Sequence, residues 1–495
     1  MNKQKFFHMD KTEIILFLGI ILLGLCLRLF NLNTPLWGDE TTSWAIARRT
    51  PFIEMWRIGQ YESSPTLYPS ILHFSIKVLG TSPSALRLPS VIFGVAVLPL
   101  VFFSMRQVTF NVKTSLQAMT LAAVSSMLIF YSQEARAYAL FVFFSILSLY
   151  LLVRCFNQPK LSNFIMYAAS LLMVSLSHRY GLFLILAEVI CIVIYKKWGL
   201  FKVTLVALGL IIFDLIIQLQ NVTFTYGIAG RKTDWQAFFD LINTFNAGVL
   251  GMQNLNNMPN ANLLKFPIAL INQFLPVVAL IVYLIIFYIG ATNYKKLRPE
   301  KKQFLIILSI CVLIPIFLAL IAGSPLSPLP QWLLRGIIMV IPFYFMAATI
   351  AISKSRYNNL LIGAIIAINV LTLIPYYSTY SRFENTVAFI HLNNHTTEED
   401  LIISDPWYMI NFIDYYYDGP SSMIAYDSQL GWIDAERMNT SNIQGIVKIE
   451  QLPDNQGDIF VWYRTKELAW IDEFPDNTIY VWNAETQLWE EYPRN

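Results

Sequence analysis

Charged residues are scarce in this chain of 495 residues: only 14% are Asp, Glu, Lys or Arg, whereas 56% are hydrophobic. Soluble globular proteins carry roughly 25% charged residues, so the composition argues against that class and indicates a polytopic membrane protein. The net charge of +3 is too small to suggest a nucleic-acid partner, and no basic run is long enough to follow a phosphate backbone. The placement of single charges therefore matters more than their sum.

Cysteine is also sparse, with four residues that show no CxxC spacing and lie in or beside apolar runs. This pattern argues against a disulfide framework or a zinc site. The sequence also lacks GxxxxGK[ST], GxGxxG and HExxH motifs. If chemistry occurs outside the cytoplasm, where no nucleotide supply is expected, the activated substrate has to arrive on a membrane carrier, and a phosphate-linked lipid fits.

Long apolar runs recur along the chain, and about eleven meet the criterion of roughly 20 apolar residues for a membrane span. Lys and Arg concentrate in alternate connections, which predicts a cytoplasmic N-terminus by the positive-inside rule. The first run has no small-residue cleavage site, so we predict a retained span. The predicted spans fall near residues 13–31, 85–105, 114–130, 138–155, 162–178, 180–197, 200–218, 266–292, 304–323, 335–353 and 358–377.

Three polar regions then lie outside the membrane, at 32–84, 219–265 and 378–495. In the first, "TLYPSILHFSIKVLG" and "TSWAIARR" are too short to span, and they predict amphipathic helices at the outer interface. In the last, "DLIIS", "GDIFVWYRT" and "NTIYVWNAE" are typical of strands and predict a small extracytoplasmic α/β domain. The predicted division is a transmembrane catalytic domain, 1–377, and a C-terminal domain, 378–495.

An acid pair, Asp39 and Glu40, lies just beyond the first span in "LWGDETTSWAIARR". One interpretation is structural: Asp39 caps a helix that begins there, and two acids in a first turn suit the helix dipole. The other is functional: a partly desolvated carboxylate at the membrane lip can accept a proton. The residues alone leave both open.

Other charges fall at predicted outer turns and span ends. In "IFYSQEARAYALF", Glu134 and Arg136 form either a structural ion pair or part of a site. In "SLSHRYGLF", the histidine is either a hydrogen-bonded structural residue or a site residue. Single arginines at span ends can snorkel to lipid headgroups, whereas several together can hold a phosphate. The arginines at span ends are Arg28, Arg87 and Arg335, and the candidate residues in "SLSHRYGLF" are His178 and Tyr180.

Two acids lie inside predicted spans, Glu188 in the sixth and Asp214 in the seventh. An intramembrane acid is either a neutral, hydrogen-bonded residue of the bundle or part of a proton or ion relay. These residues support the alternative function, a polytopic transporter or lipid flippase. That alternative predicts internal repeats between two halves, and none is visible in the sequence.

Four stretches in order carry a resemblance: "RLFNLNTPLWGDETTSWAIARR", "SPTLYPSILHFSIKVLGTSPSALRLPSVIFG", "YSQEARAYAL" and "SHRYG". Together they resemble bacterial membrane glycosyltransferases of glycosyltransferase family 39. That family is similar to the protein O-mannosyltransferases and the lipid A aminoarabinose transferases, which have the GT-C fold. The resemblance covers roughly residues 13 to 200 and continues weakly to Arg335.

The resemblance implies an inverting hexosyl or pentosyl transfer, at the outer face of the cytoplasmic (inner) membrane, from a polyprenyl-phosphate sugar to a hydroxyl of a protein, lipid or glycan. Asp39 matches the general base, Glu40 its orienting neighbour, and Glu134 a sugar or acceptor contact. Arg136 matches a phosphate ligand, and the other outer cations, with His178 and Tyr180, would complete the donor site. No cofactor is firmly implied, although Asp39, Glu40 and Glu134 could share a divalent metal.

The chain departs from the family pattern at four places. It has Pro65-Thr66-Leu67-Tyr68 for Pro-Pro-Leu-Tyr, His178-Arg179-Tyr180-Gly181 for His-Tyr-Tyr-Gly, and Arg335-Gly336 for Arg-Tyr. It also has Ser64 where some relatives carry a lysine just before the second motif. None of these touches Asp39 or Glu134. They bear on phosphate and sugar binding, with Arg179 as a substitute cation.

Overall fold

The chain folds into two compact units in the computed structural model. The first comprises Met1–Leu32, Gly59–Ser75 and Ser84–Tyr380, and the second comprises Asn33–Ile58, Ile76–Pro83 and Ser381–Asn495. Most of the predicted second outer region, 219–265, lies outside the described residues. The structure describes residues 9–59, 65–221, 240–244, 248, 265–324, 334–379, 386–405, 409–425, 443–445, 457–463, 478–483 and 488–492.

Helices make up nearly all of the first unit. Of the first fifteen described helices, α2 and α3 belong to the second unit, and α4 runs from the first unit into it. Their bounds are α1 Lys11–Leu29, α2 Gly38–Ala47, α3 Phe52–Gly59, α4 Leu67–Leu79, α5 Pro83–Thr109, α6 Val112–Val124, α7 Ser126–Ser132, α8 Tyr138–Asn157, α9 Leu161–Ser177, α10 Gly181–Ile194, α11 Trp198–Asn221, α12 Lys265–Asn293, α13 Pro299–Ala322, α14 Val340–Ile352 and α15 Asn358–Thr379.

The described helices include seven that are long and apolar enough to cross a membrane: α1, α5, α8, α11, α12, α13 and α15. The pair α6 and α7 makes an eighth if it is counted as one bent span. The helices α9, α10 and α14 are apolar but shorter than a full span. A helix therefore occurs at each predicted span, and the protein is mostly helical with several membrane spans, but the predicted count of eleven is not confirmed.

The third predicted span is broken rather than continuous. Ser125 separates α6 from α7, and the two helices meet at a bend of 57°. The Ser125 hydroxyl accepts a hydrogen bond from Leu128 N at 3.5 Å, which caps α7. Arg28 donates to the carbonyls of Ala123, at 3.1 Å, and Ala122, at 3.3 Å. Carbonyls at a helix end lack intrahelical partners, so Arg28 supplies donors that the break removes.

The second unit is built on a six-stranded sheet of order β3-β2-β1-β4-β5-β6. Every neighbouring pair is parallel except β5 with β6, which is antiparallel. The three segments predicted as strands are β1, β4 and β5. The elements are α16 Thr386–His395, β1 Leu401–Asp405, α17 Ile410–Tyr416, β2 Ser422–Ala425, β3 Ile443–Gly445, β4 Ile459–Tyr463, β5 Ile479–Asn483 and β6 Leu488–Glu491.

Helices α2 and α3 of the first loop are part of this second unit. They share a small apolar cluster of Ile46, Met55 and Ile58, all buried. Helix α2 also contacts α17, as described below. The predicted interfacial position of the first-loop helices and the predicted domain boundary at residues 377 and 378 stay predictions.

Candidate active site

Helix α2 carries the acid pair in its first turn. It begins at Gly38, after the N-cap residue Trp37, so the prediction that Asp39 caps the helix was wrong, whereas both acids do lie in its first turn. Glu40 does the capping instead: its Oε2 accepts a hydrogen bond from Trp37 N at 3.3 Å, and the residue is fully buried. Asp39 is only partly buried. The neighbour therefore orders the turn while Asp39 keeps access to solvent.

Contacts with α17 fix the position of α2 in the second unit. Leu36 N, just before the helix, donates to the Tyr416 hydroxyl at 2.7 Å. Asn411 Nδ2 donates to the Thr42 hydroxyl at 3.5 Å. Arg48, which follows the helix, forms an ion pair with Asp414. These contacts anchor α2 at both ends, so the carboxylate of Asp39 lies on a supported helix rather than a loop.

In the first unit, His178 lies in the turn between α9 and α10. Its Nδ1 accepts a hydrogen bond from Tyr180 N at 3.1 Å, which assigns the ring proton to Nε2. Burial, together with the positive charges of Arg335, Arg136 and Arg179, lowers the pKa of His178. The neutral ring can donate from Nε2, and three cations lie within electrostatic range of it.

Aromatic rings connect His178 with Arg335. The ring of Tyr138 lies 5.8 Å from that of His178, and the Arg335 guanidinium carbon lies 5.9 Å from the centre of the Tyr138 ring. The Tyr180 ring lies against Gly336, where an added Cβ would come within 2.4 Å of a ring carbon. The departure from Arg-Tyr at this position has a steric reason, because the ring of Tyr180 fills the space.

Glu134 and Arg136 follow α7, in the turn before α8. Both are buried, with 3% and 8% of their surfaces exposed. The Arg136 carbonyl accepts a hydrogen bond from the Ser90 hydroxyl at 3.2 Å, and Ser90 lies 2.9 Å from the Tyr68 hydroxyl. Sequence reasoning missed Ser90, although Tyr68 belongs to one of the motifs that carried the resemblance.

Arg28 and Arg87 are buried, with 0% and 1% exposed, so neither snorkels to the lipid surface. Arg87 donates to Leu32 O at 2.8 Å. Arg28 donates to Ser132 Oγ at 3.2 Å and to three carbonyls. Four of its five N–H groups are thereby used within the protein. A phosphate role for these two residues stays a prediction.

Gln133, next to Glu134, is a residue that sequence reasoning missed. Its amide nitrogen donates to Arg28 O at 3.0 Å and Phe30 O at 2.7 Å, and its Oε1 accepts from the Tyr376 hydroxyl at 2.6 Å. The residue ties the end of α1 and the helix α15 to the turn that carries Glu134. An amide in a long apolar run was the available signal.

The first unit thus brings Arg136, Arg335, His178 and Tyr180 together around one turn. Asp39 and Glu40 belong to the second unit. Among the described residues, no group of three or more His, Cys, Asp and Glu side chains is arranged to hold a metal ion.

The intramembrane acid Glu188 is fully buried and hydrogen-bonded through both oxygens. Its Oε1 accepts from the Ser148 hydroxyl at 2.8 Å, and its Oε2 accepts from the Tyr167 hydroxyl at 2.9 Å. This arrangement is typical of a structural acid in a helix bundle. Asp214, on α11, is half-buried.

Residues 63–222 match the model of a protein family described as dolichyl-phosphate-mannose-protein mannosyltransferase. No curated protein matches the sequence significantly. Among solved structures, ArnT from Cupriavidus metallidurans bound to undecaprenyl phosphate is 12% identical, with a TM-score of 0.54 over 84% of this chain and 86% of that chain. Its apo form is also 12% identical, with a TM-score of 0.52 over 83% and 85%.

The chain has a GT-C fold. The predicted resemblance to GT-C glycosyltransferases such as the O-mannosyltransferases is confirmed, and the chain is similar to ArnT. The chain is therefore a multi-pass membrane protein. The family model covers three of the four stretches that carried the resemblance, and it ends near the end of α11. It does not reach the first stretch, residues 28–49, which contains the acid pair.

Proposed function

We propose that the chain is an inverting glycosyltransferase that moves a sugar from a polyprenyl-phosphate donor to an acceptor hydroxyl at the outer face of the cytoplasmic membrane. The observation that carries this proposal is the group of cations around His178 in a chain with the fold of ArnT. ArnT has been solved with undecaprenyl phosphate bound. A lipid phosphate is the ligand that such a cation group suits.

The donor phosphate is assigned to Arg136 and Arg335, with His178 Nε2 and the Tyr180 hydroxyl as neutral donors. As the anomeric C–O bond breaks, negative charge grows on the leaving phosphate. Fixed cations then stabilise the transition state more than the ground state, which is the condition for catalysis. Arg28 and Arg87 are assigned a supporting role in donor binding. Four N–H groups of Arg28 are already used within the protein, and Arg87 donates to Leu32 O.

An apolar groove of about 350 Å³ in the first unit suits the prenyl chain of such a donor. It is lined by α1 and α5, with Leu29 and Leu88 among its residues. These two leucines directly follow Arg28 and Arg87 in the sequence. A polyprenyl phosphate has an apolar chain, which suits this groove, and a phosphate, which suits the cations Arg136 and Arg335.

Asp39 is assigned as general base. Its carboxylate takes the proton of the acceptor hydroxyl, the oxygen attacks the anomeric carbon from the side opposite the phosphate, and polyprenyl phosphate leaves with the bonding electron pair. The product has the inverted configuration because one displacement occurs. Glu40 orders the turn that carries Asp39, and Glu134 contacts the sugar or the acceptor.

The direct test is sugar transfer in membranes that contain the full chain. Undecaprenyl-phosphate hexoses and pentoses with a labelled sugar are supplied, and label is followed into protein, lipid and glycan fractions. Substituting Arg136→Gln should lower kcat/KM for the donor roughly 10- to 100-fold, the value of a charge-assisted hydrogen bond, with part of the loss in kcat. Arg57→Gln, which removes an exposed arginine outside the group, should leave kcat/KM unchanged.

Two outcomes would contradict the proposal. One is no transfer from any polyprenyl-phosphate sugar by folded protein in membranes. The other is substrate uptake coupled to a proton gradient that is lost in Glu188→Gln, which would favour the transporter.

A further inference from the structure

A cavity of about 800 Å³ lies in the second unit, between α2 and the segment that follows α17. We call it the α2–α17 cavity. Small-molecule sites have volumes of roughly 300–1,000 Å³. Its lining comes from the first loop and the C-terminal region, including Trp44, Arg48, Asp414, Tyr415 and Asp418. None of these residues has a part in the transfer step proposed above.

One wall of the cavity is aromatic. Trp44 is 7% exposed, and the Tyr415 ring meets it edge-on at 5.0 Å and 90°. The indole Nε1 of Trp44 is buried and has no hydrogen-bond partner among the described residues. A buried donor without a partner costs free energy, so a ligand atom that accepts from it would be favoured.

The charge of the cavity disfavours an anionic ligand. Arg48 is held over the Trp44 ring, with its guanidinium carbon 4.0 Å from the ring centre, and is paired with Asp414. Asp418 adds a carboxylate with no side-chain partner in the described part of the chain. One positive and two negative groups leave a net charge of −1, so a phosphate is not the ligand for this cavity.

The segment after α17 is fixed before any ligand binds. The Tyr417 hydroxyl accepts a hydrogen bond from Ser421 N at 2.8 Å and lies 2.8 Å from the Thr396 hydroxyl. Asp418 N donates to Asn393 Oδ1 at 2.9 Å. The exposed carboxylate of Asp418 is therefore presented at the cavity by an ordered backbone, which lowers the entropy lost on binding.

We propose that the α2–α17 cavity binds a neutral carbohydrate unit of the acceptor. A pyranose offers an apolar C–H face to the Tyr415 ring, because Arg48 already lies over the Trp44 ring. It also offers a hydroxyl oxygen to the Trp44 N–H and hydroxyl protons to the Asp418 carboxylate. The inference rests on the proposed glycosyl transfer, because it names the class of the acceptor as a glycan or glycolipid.

The geometry of α2 sets which unit of the acceptor binds there. Trp44 follows Asp39 by five residues, so it lies about 7.5 Å further along the helix axis and about 140° around it. The two side chains are on different faces of the helix. The carbohydrate in the cavity is therefore a unit other than the one whose hydroxyl reacts.

The test is binding of methyl glycosides to the full chain in phospholipid nanodiscs, which avoid sugar detergents. Saturation-transfer NMR is recorded with methyl mannoside, glucoside, galactoside and N-acetylglucosaminide. Trp44→Phe keeps a ring and removes the N–H, and Asp418→Ala removes the carboxylate. Each should weaken glycoside binding roughly 3- to 10-fold, whereas Glu398→Ala, an exposed acid outside the cavity, should not.

Binding of undecaprenyl phosphate to the same nanodiscs separates the two proposals. If it binds and no glycoside does, or if glycoside binding is unchanged in both cavity variants, the carbohydrate inference is overturned and the transfer proposal stands. If neither ligand binds, both are overturned. A third outcome is a saturation-transfer signal from a serine- and threonine-rich peptide, with none from the glycosides, that disappears in the cavity variants. This result would also overturn the inference, in favour of a protein acceptor.

Discussion

Replacing Asp39 with asparagine should separate catalysis from stability. The substitution keeps the shape of the side chain and removes its ability to take a proton. A general base contributes roughly 10²- to 10⁴-fold to a rate, or about 2.7–5.4 kcal/mol of transition-state stabilisation. The expected result is a fall in kcat of at least about 100-fold at saturating donor.

The cost to folding should be much smaller. The N-cap is Trp37 and the capping carboxylate belongs to Glu40, so Asp39→Asn leaves those hydrogen bonds in place. It removes a negative charge from the first turn of α2, and the attraction between such a charge and the helix dipole is worth about 0.3–1 kcal/mol. The loss of activity should therefore exceed the loss of stability by at least about 2 kcal/mol.

Two measurements on the same preparation check this prediction: the initial rate of labelled sugar transfer, and thermal unfolding in nanodiscs. Glu54→Gln is the matched control, since it neutralises a half-buried acid on the neighbouring helix α3. Its surface ion pair with Arg57 is worth at most about 1 kcal/mol, so the substitution should change neither quantity greatly. Folded Asp39→Asn protein that keeps its rate within about tenfold of wild type would refute the general-base role.

Three further predictions concern packing and protonation. Gly336→Ala should destabilise the first unit by about 1–3 kcal/mol, because its Cβ meets the Tyr180 ring; an unchanged melting temperature would contradict this. Arg28→Met should cost at least about 2 kcal/mol in thermal unfolding, since buried carbonyls lose their donors. Burial raises the pKa of Asp414 above 3.8 despite Arg48, so its stabilising contribution is complete below that value and is lost as pH rises through the raised pKa. Asp414→Asn should remove this decline in melts from pH 4 to 7.

Hydropathy predicted where the helices of the first unit lie, because a membrane helix needs a long apolar run whatever its tertiary contacts. It did not predict where helices break. Ser125 interrupts an apolar run whose mean hydropathy still passes the span criterion, so the bend between α6 and α7 is invisible to a window average. A serine inside the run was the available signal, since its hydroxyl can cap a helix.

The acid pair shows a different limit. The motif indicated a helix start, but it could not say which residue is the cap. The N-cap is Trp37, two residues before Asp39, and Glu40 supplies the capping carboxylate. The sequence also could not predict that α2 groups with the C-terminal region. It rests on pairs such as Arg48 and Asp414, which are 366 residues apart, and no local pattern reports such contacts.

The dependence of the broken helix on Arg28 has a consequence for biogenesis. The acceptors of this arginine are on α6 and α7, which are synthesised about a hundred residues later. Arg28 is one residue from the end of α1, so while the nascent chain is short its side chain can stay at the lipid headgroups. It enters the bundle only when the bend exists to receive it. We expect a maleimide to label Arg28→Cys, in a cysteine-free chain, in truncations that end before α6 and not in the full-length protein.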